Sequence, residues 1–318
     1  MRPFCEPAGV SCRGYSLPLQ RAITDFGADI SFGRIPEKLK EHYGITIPIS
    51  SAQEITERHA GIIFESQEIK TELPDREGVE MLIAEMDGSM VPIVGVGNNI
   101  GEESQDLRKT RSVGWKEARL VLVRDQGTVD PRFGVTMDTV DDAGDQLANC
   151  AISIGAGTET KVHSVGDGAG RISDQVERVF GSQASYLIDF YHLCDYLSAA
   201  GEEICGKEEK KTWMGEQKEK MKDNQSSEVL KVLEPHLEDA NVANEDAPVR
   251  ACYRYITNHS EHLDYKGALA ANLPIGSGEI ESGHRYIIQE RLKISGAWWK
   301  IGNAKSMLSL RVFRANDN

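Results

Sequence analysis

Three carboxylates in this 318-residue chain stand where chemistry could be done: Asp87, Asp167 and Glu281. Asp87 follows the apolar run Met81-Leu-Ile-Ala-Glu-Met86, and Asp167 follows the run Thr160–Val165. Each opens an Asp-Gly dipeptide at the end of an expected strand. Glu281 falls in the first turn of a helix expected to start after Gly276-Ser-Gly278. Carboxylates are the preferred ligands of hard cations such as Mg2+, and three of them packed together repel unless divalent ions sit among them. Two such ions, about 4 Å apart, stabilise both the attacking and the leaving oxygen of an in-line phosphodiester displacement. The set therefore suits Mg2+-dependent cutting and joining of nucleic-acid strands with two ions, Mn2+ being able to substitute. Taken singly, each acid has a plainer reading. Asp-Gly is a routine turn, and an acid in a first helical turn is favoured by the helix dipole. Glu279 competes with Glu281, but two residues apart on a helix they face nearly opposite sides, so only one of them can face the ions.

For the acids to meet, the elements between them must return to one edge. Met81–Met86 reads as a first strand, turning at Asp87–Ser89 into a second, Met90–Val96; Ala118–Val123 is a third. A helix over 139–154, a strand over Thr160–Val165, a helix over Ile172–Phe180 and a strand over Ser185–Ile188 follow. That order predicts an α/β fold with a ribonuclease-H-like core: a mixed five-stranded sheet with flanking helices, an α-helical insertion and a small helical N-terminal region. The expected division is 1–15 irregular, 16–78 helical, 79–189 core, 190–275 helical insertion, and 276–318 the catalytic helix with basic C-terminal helices. In 16–78, helices are expected over Leu17–Gly27, Ile35–Tyr43 and Ser51–Ala60, the last with a capping box from Ser51 and Glu54. Their cadence is that of a DNA-binding helix-turn-helix or of a plain helical bundle.

The net charge of −14 argues against nucleic-acid binding if it is taken as a sum. Its distribution points the other way. From Gly283 to Arg314, Arg285, Arg291, Lys293, Lys300, Lys305, Arg311 and Arg314 face a single acid, Glu290, which makes this stretch either a phosphate-tracking surface or a solvated helix face. Trp298 and Trp299 sit among these cations, as base-stacking rings or as core. The six cysteines are scattered, and no disulfide framework is expected. Cys5 and Cys12 are spaced too widely for a zinc knuckle by themselves. No apolar stretch is long enough to span a bilayer, and no signal peptide is evident, so a cytoplasmic protein without membrane contact is expected.

Several short blocks carry a family resemblance. Met86-Asp-Gly-Ser-Met-Val-Pro92, Val165-Gly-Asp-Gly-Ala169, Ile188-Asp-Phe-Tyr-His-Leu-Cys-Asp-Tyr-Leu197 and Gly276-Ser-Gly-Glu-Ile-Glu-Ser282 resemble, in order and spacing, the conserved blocks of bacterial insertion-sequence transposases of the DDE type, relatives of the Mutator elements. Arg291-Leu-Lys-Ile-Ser-Gly-Ala-Trp-Trp-Lys300 and Ala304-Lys-Ser-Met-Leu-Ser-Leu-Arg311 are similar to the C-terminal block of that family. The likeness implies that Asp87, Asp167 and Glu281 are the metal-binding catalytic triad. It gives Asp189 and His192 an accessory part, in organising the site or handling a strand end; a structural hydrogen bond orienting the histidine is the plainer alternative. It implies DNA contacts from Arg285, Arg291, Lys293, Trp298 and Lys300, with the element's terminal repeats and target DNA as partners, a homodimer assembled on DNA, and a bacterial, nucleoid-associated location when DNA-bound. It also implies a longer N-terminal region with a cysteine-rich ribbon, of which Cys5 and Cys12 would be the remnant in a truncated copy. The competing readings are a cellular nuclease or resolvase on the same core, and a DNA-binding protein whose core is inactive.

Overall fold

The computed structural model of the chain describes residues 10–11, 14–96 and 111–316. It opens with a two-stranded ribbon, β1 (Val10–Ser11) and β2 (Tyr15–Ser16), where irregular chain was expected. Three helices follow: α1 (Leu17–Asp29), α2 (Ile35–Tyr43) and α3 (Ile49–Glu65). Pro36 in the first turn of α2 and the left-handed Gly44 after it set both ends of that helix. The capping box expected at Ser51 does not form. Helix α3 starts two residues earlier, after Pro48, and Ser51 is buried inside it. Ile23, Ile35, Leu39, Ile47, Ala52 and Ile55 close a small core among the three helices.

The centre is a mixed five-stranded sheet in the order β5-β4-β3-β6-β7. Strand β3 (Met81–Val96) is central, antiparallel to β4 (Arg111–Asp125) and parallel to β6 (Lys161–Gly166). Strand β5 (Arg132–Thr136) flanks β4, and β7 (Ala184–Ile188) flanks β6. The expected α/β class with a mixed five-stranded sheet stands, but two expectations inside it need correction. The chain does not turn at Asp87-Gly88. Strand β3 runs straight through, pairing Asp87 with Leu120 and Gly88 with Arg119, so the two strands expected there are one. Strand β5, expected as loop, supplies the fifth.

Side chains alternate across the sheet. Leu82, Ala84, Met86, Val121 and Val123 face helices α4 (Val140–Ile154) and α5 (Gly170–Phe180). Leu120, Leu122, Phe133 and Val135 face the C-terminal helices. Thr139 and Asp142 form a reciprocal capping box at the start of α4. After β7 the chain is helical: α6 (Phe190–Lys222, kinked at Gly206), α7 (Ser226–Leu233), α8 (Pro248–Asn258) and α9 (Tyr265–Ala270) close a separate apolar cluster against Leu187 and Ile188. Helix α10 (Gly278–Gly283) then passes into a π-helical stretch, His284–Gln289, and a single turn, α11 (Glu290–Leu292). Helix α12 (Ile301–Ala315) ends the fold. No helix among the described residues is long and apolar enough to cross a membrane.

Two buried guanidinium groups join the chain's ends. Arg291 donates from Nε to the Gly27 carbonyl (2.8 Å) and is sandwiched between the rings of Phe32 and Trp299, 4.7 and 4.8 Å from their centroids. Arg311 donates to the carbonyls of Ala28 and Ile287 and to Asp29. Both thus satisfy last-turn carbonyls of α1 that no helical N–H can reach. Burial pushes the Arg291 pKa down to about 10, and one of its terminal nitrogens has no hydrogen-bond partner. Replacing a buried charge by an apolar side chain of similar volume costs little, whereas truncating it leaves a void. Arg291→Ala is therefore expected to lower stability by about 3 kcal/mol and Arg291→Met by less than half as much, as read from urea unfolding midpoints.

Candidate active site

The acids collect where the parallel pairing stops. The last parallel pair of β3 and β6 is Glu85 with Val165. Asp87 and Asp167 each lie two residues further on and come level with each other. Strand β7 repeats the step: Ile188 pairs with Gly166, and Asp189 follows. Asp87, Asp167, Asp189, His192, Ser277 and Glu281 line a single cavity of about 240 Å3. The triad and accessory residues expected from the sequence are thus brought together.

They are held in different ways. Asp87 accepts from the Gly88 N–H (2.6 Å), and its Oδ2 lies 3.2 Å from Nε2 of the buried His284. That approach is close enough for charge attraction, but its direction falls short of a hydrogen bond, and both ring nitrogens of His284 are without a hydrogen-bond partner. Burial alone would push the Asp87 carboxyl up; the His284 ring and the Gly88 N–H outweigh it and hold its pKa below the usual carboxylate range. Asp167 accepts from the Ala169 N–H (2.9 Å). Its own carbonyl takes the Tyr255 hydroxyl (2.8 Å), and the Gly168 carbonyl lies 3.0 Å from His259 Nε2. Gly168 has a positive φ of 85°, and a Cβ there would stand 2.8 Å from the His259 ring, so the loop requires glycine.

Asp189 is wholly committed to structure. One oxygen caps α6 by accepting from the N–H groups of Tyr191 (2.6 Å) and His192 (2.9 Å). The other accepts from the N–H (2.7 Å) and the hydroxyl of Ser277. Asp189 therefore ties the end of β7 to the segment that launches α10. His192 is half-buried, with its ring edge-on to Tyr196 and Tyr255. Glu281 is exposed and makes no side-chain contact with a partner among the described residues. Its rival Glu279 forms a two-point ion pair with Arg124, both distances 2.7 Å.

Beneath α10 lies Glu85, a residue the sequence reading passed over. It is fully buried, two residues before Asp87 and on the same face of β3. One oxygen accepts from the Ile280 N–H (2.8 Å); the other has no hydrogen-bond partner. Burial pushes its pKa up to about 8, against the partial relief of the Ile280 N–H and with the nearby Glu279 adding to the rise. A lone acid in the run Met81–Met86, in phase with Asp87, was its only sequence signal. His284, three residues beyond Glu281 and so on the same helix face, could have been found by spacing.

The basic tail is mostly consumed inside the protein. Arg291 is 2% exposed and Arg311 7%, so the DNA contact expected of Arg291 is corrected: its charge serves α1 and the two rings around it. Lys305 pairs with Asp138, and Arg314 with Asp25 and Asp29. Lys293 reaches the Ser89 hydroxyl (2.7 Å), on the Asp87 face of β3. Arg285, Trp298 and Lys300 remain at the surface, while Trp299 is buried.

The donors around the cavity are of the type a hard cation takes. They are not drawn into a closed cage: among the described residues no three acids, histidines or cysteines stand close enough to hold one ion. Glu281 is the side chain free to turn inward. Cys5 and Cys12 lie outside the described residues; Cys150, Cys194, Cys205 and Cys252 are free thiols. A scan against protein-family models finds no match for the chain, and no curated protein matches it.

The Glu85 proton sets a pH dependence. The folded-state pKa, about 8, lies above the ordinary value of 4.5, so the folded protein keeps a proton that the unfolded chain releases. The stability this proton provides is complete below pH about 4.5 and falls away as pH rises through about 8. Glu85→Gln, neutral throughout, lacks that slope. In chelator-containing buffer, its urea midpoint relative to the parent is expected to rise steadily across this window; a constant difference would show that Glu85 carries no extra proton.

Proposed function

We propose that the chain is a metal-dependent polynucleotidyl transferase of the DDE transposase type, built on a ribonuclease-H-like core, which cuts DNA at the ends of an insertion element and joins them to target DNA. One observation carries this reading: Asp87 and Asp167, level at the end of the β3–β6 pairing, share a cavity with Glu281 from a helix more than a hundred residues later in the chain. The block resemblance supports it. Asp87, Asp167 and Glu281 would hold two Mg2+ or Mn2+ ions, which when bound activate the attacking water or 3′-hydroxyl and stabilise the leaving oxygen.

The chain's own residues do the rest. Asp87, kept ionised by its surroundings, and Asp167, held by the Ala169 N–H, present carboxylate oxygens to the same cavity. Asp189 sets the entry of α10, and Glu85 and Arg124 pin that helix from below, so that Glu281 stays over the cavity. Lys293, bonded to Ser89 on the Asp87 face of β3, and the exposed Arg285 would meet phosphates. The element's terminal repeats, the target DNA and a second copy assembled on paired ends are the partners this reading entails.

Asp87→Asn and Asp167→Asn should each lower Mg2+-dependent nicking of a duplex carrying the DNA that flanks the gene by about 10²–10³-fold or more, with duplex binding unchanged. Unaltered nicking in either variant would remove the assignment. Nicking without strand joining would make the chain a nuclease or resolvase. Binding without any metal-dependent product would make it a DNA-binding protein with a silent core.

A further inference from the structure

Beyond the acidic cavity, the start of β4, residues 111–116, is exposed and carries Trp115 in the open, with Trp298 of the segment before α12 beside it. Trp115 is 60% exposed and Trp298 37%, their ring centroids 6.2 Å apart and tilted by 58°. Both are on firm backbone. Trp115 pairs with Pro92 of β3. The segment around Trp298 is docked on the other edge of β3: Trp299 donates to the Pro92 carbonyl (3.1 Å), and Val94 donates to the Trp299 carbonyl (2.8 Å). Strand alternation buries Trp299 and turns Trp298 and Lys300 outward. The same alternation puts Arg111 on the Trp115 face of β4. Neither Arg111 nor Lys300 has an acidic partner among the described residues, and both are exposed. Glu117, the nearest acid on that face, is held by Arg119 and Arg171.

Two exposed indoles, with cations nearby that have no acidic partner among the described residues, complement a ligand that offers flat apolar rings and negative charge together. We infer that Trp115 and Trp298 form a platform on which unpaired nucleobases stack while Arg111 and Lys300 meet the adjoining phosphates. This rests on the DNA reading of the acidic cavity and deepens it by naming the form of DNA held next to that cavity. Alternation turns Trp115 to the sheet face opposite Asp87, the face of Glu117 and Arg119, and those two residues line a second cavity together with Asp87 and Asp167. Pro92 lies five residues beyond Asp87 on the same strand, roughly 17 Å away at strand rise, so a strand entering from that side would reach the rings within a few nucleotides. A second copy of the chain is disfavoured as the occupant. A two-fold contact through this patch would set Arg111 and Lys300 against their own copies, whereas a single strand satisfies rings and cations at once.

The test compares two labelled DNAs by fluorescence anisotropy: a blunt duplex, and the same duplex with a short oligothymidine extension. The parent should prefer the extended DNA, and oligothymidine should quench its tryptophan fluorescence. Trp115→Ala and Trp298→Ala should each weaken the extended complex about tenfold, leave the blunt complex within about twofold, and lose part of the quenching. Trp115→Phe should retain most of the preference. Both rings are at the surface, so melting temperatures should stay close to the parent's; if an alanine variant fails to fold, parent quenching and Trp115→Phe decide the matter. Equal losses on both DNAs, or none, would overturn the platform. So would a parent dimer that Trp115→Ala converts to monomer with its DNA preference intact, which would give the patch to a second copy. If Asp87-dependent nicking is present while the tryptophan variants bind like the parent, only the platform falls. If the parent binds neither DNA, the reading of the cavity falls as well.

Discussion

Parallel strands in register deliver their following residues to the same side of a sheet, and everything at the candidate site depends on that constraint. With Glu85 opposite Val165 and Gly166 opposite Ile188, the next residues of β3, β6 and β7 emerge side by side. Three aspartates therefore stand in a row, which is unfavourable by Coulomb repulsion unless each is compensated. Asp189 has both oxygens satisfied by four hydrogen-bond donors and becomes a structural joint. Asp167 keeps one backbone donor, and Asp87 has one donor and a histidine at its flank. The compensation is thus graded from complete to slight, and the residues left least satisfied, with Glu281, are those facing the cavity.

The underside of α10 shows the same economy. A short helix cannot hold itself in place. Its N-terminal backbone is received by Glu85, its Glu279 by Arg124, and Gly283 allows it to lie against Phe133 and Leu120, where a Cβ would be 2.9 Å from the Phe133 ring. The π-helical stretch that follows carries His284 at its start, facing Asp87. Such stretches interrupt regular helical phase and recur near functional sites. The net acidity of the chain and the cationic character of its tail are reconciled by location, because most of those cations are spent on carbonyls and acids within the fold.

Much of this was legible in the sequence where local rules act alone. Helix α2 matched its expected ends because proline and glycine fix them independently of packing. The apolar run Ala118–Val123 marked a strand, and the structure buries it on both faces. The reading failed where a tertiary partner overrode a local preference. Asp87-Gly88 has turn chemistry, yet β4 offers an unbroken ladder of partners along β3 and the strand continues. Strand β5 is short, contains Gly134 and follows Pro131, so nothing local announces it. Arg291 looks like a surface cation in one dimension; only the fold brings Phe32 and the end of α1 around it. Glu85 was invisible for the opposite reason, since its importance lies in a backbone N–H almost two hundred positions away.

Tyr255 of α8 and His259, the residue that ends that helix, reach the carbonyl oxygens of Asp167 and Gly168. The helices after β7 are therefore a splint for the acidic loop, and the aspartate's orientation is inherited partly from a layer that carries none of Asp87, Asp167 and Glu281. A descendant of this chain could not shed or exchange that layer as a removable module. Any remodelling of α8 would be felt first as a loosening at the carboxylate, before the sheet itself registered the loss.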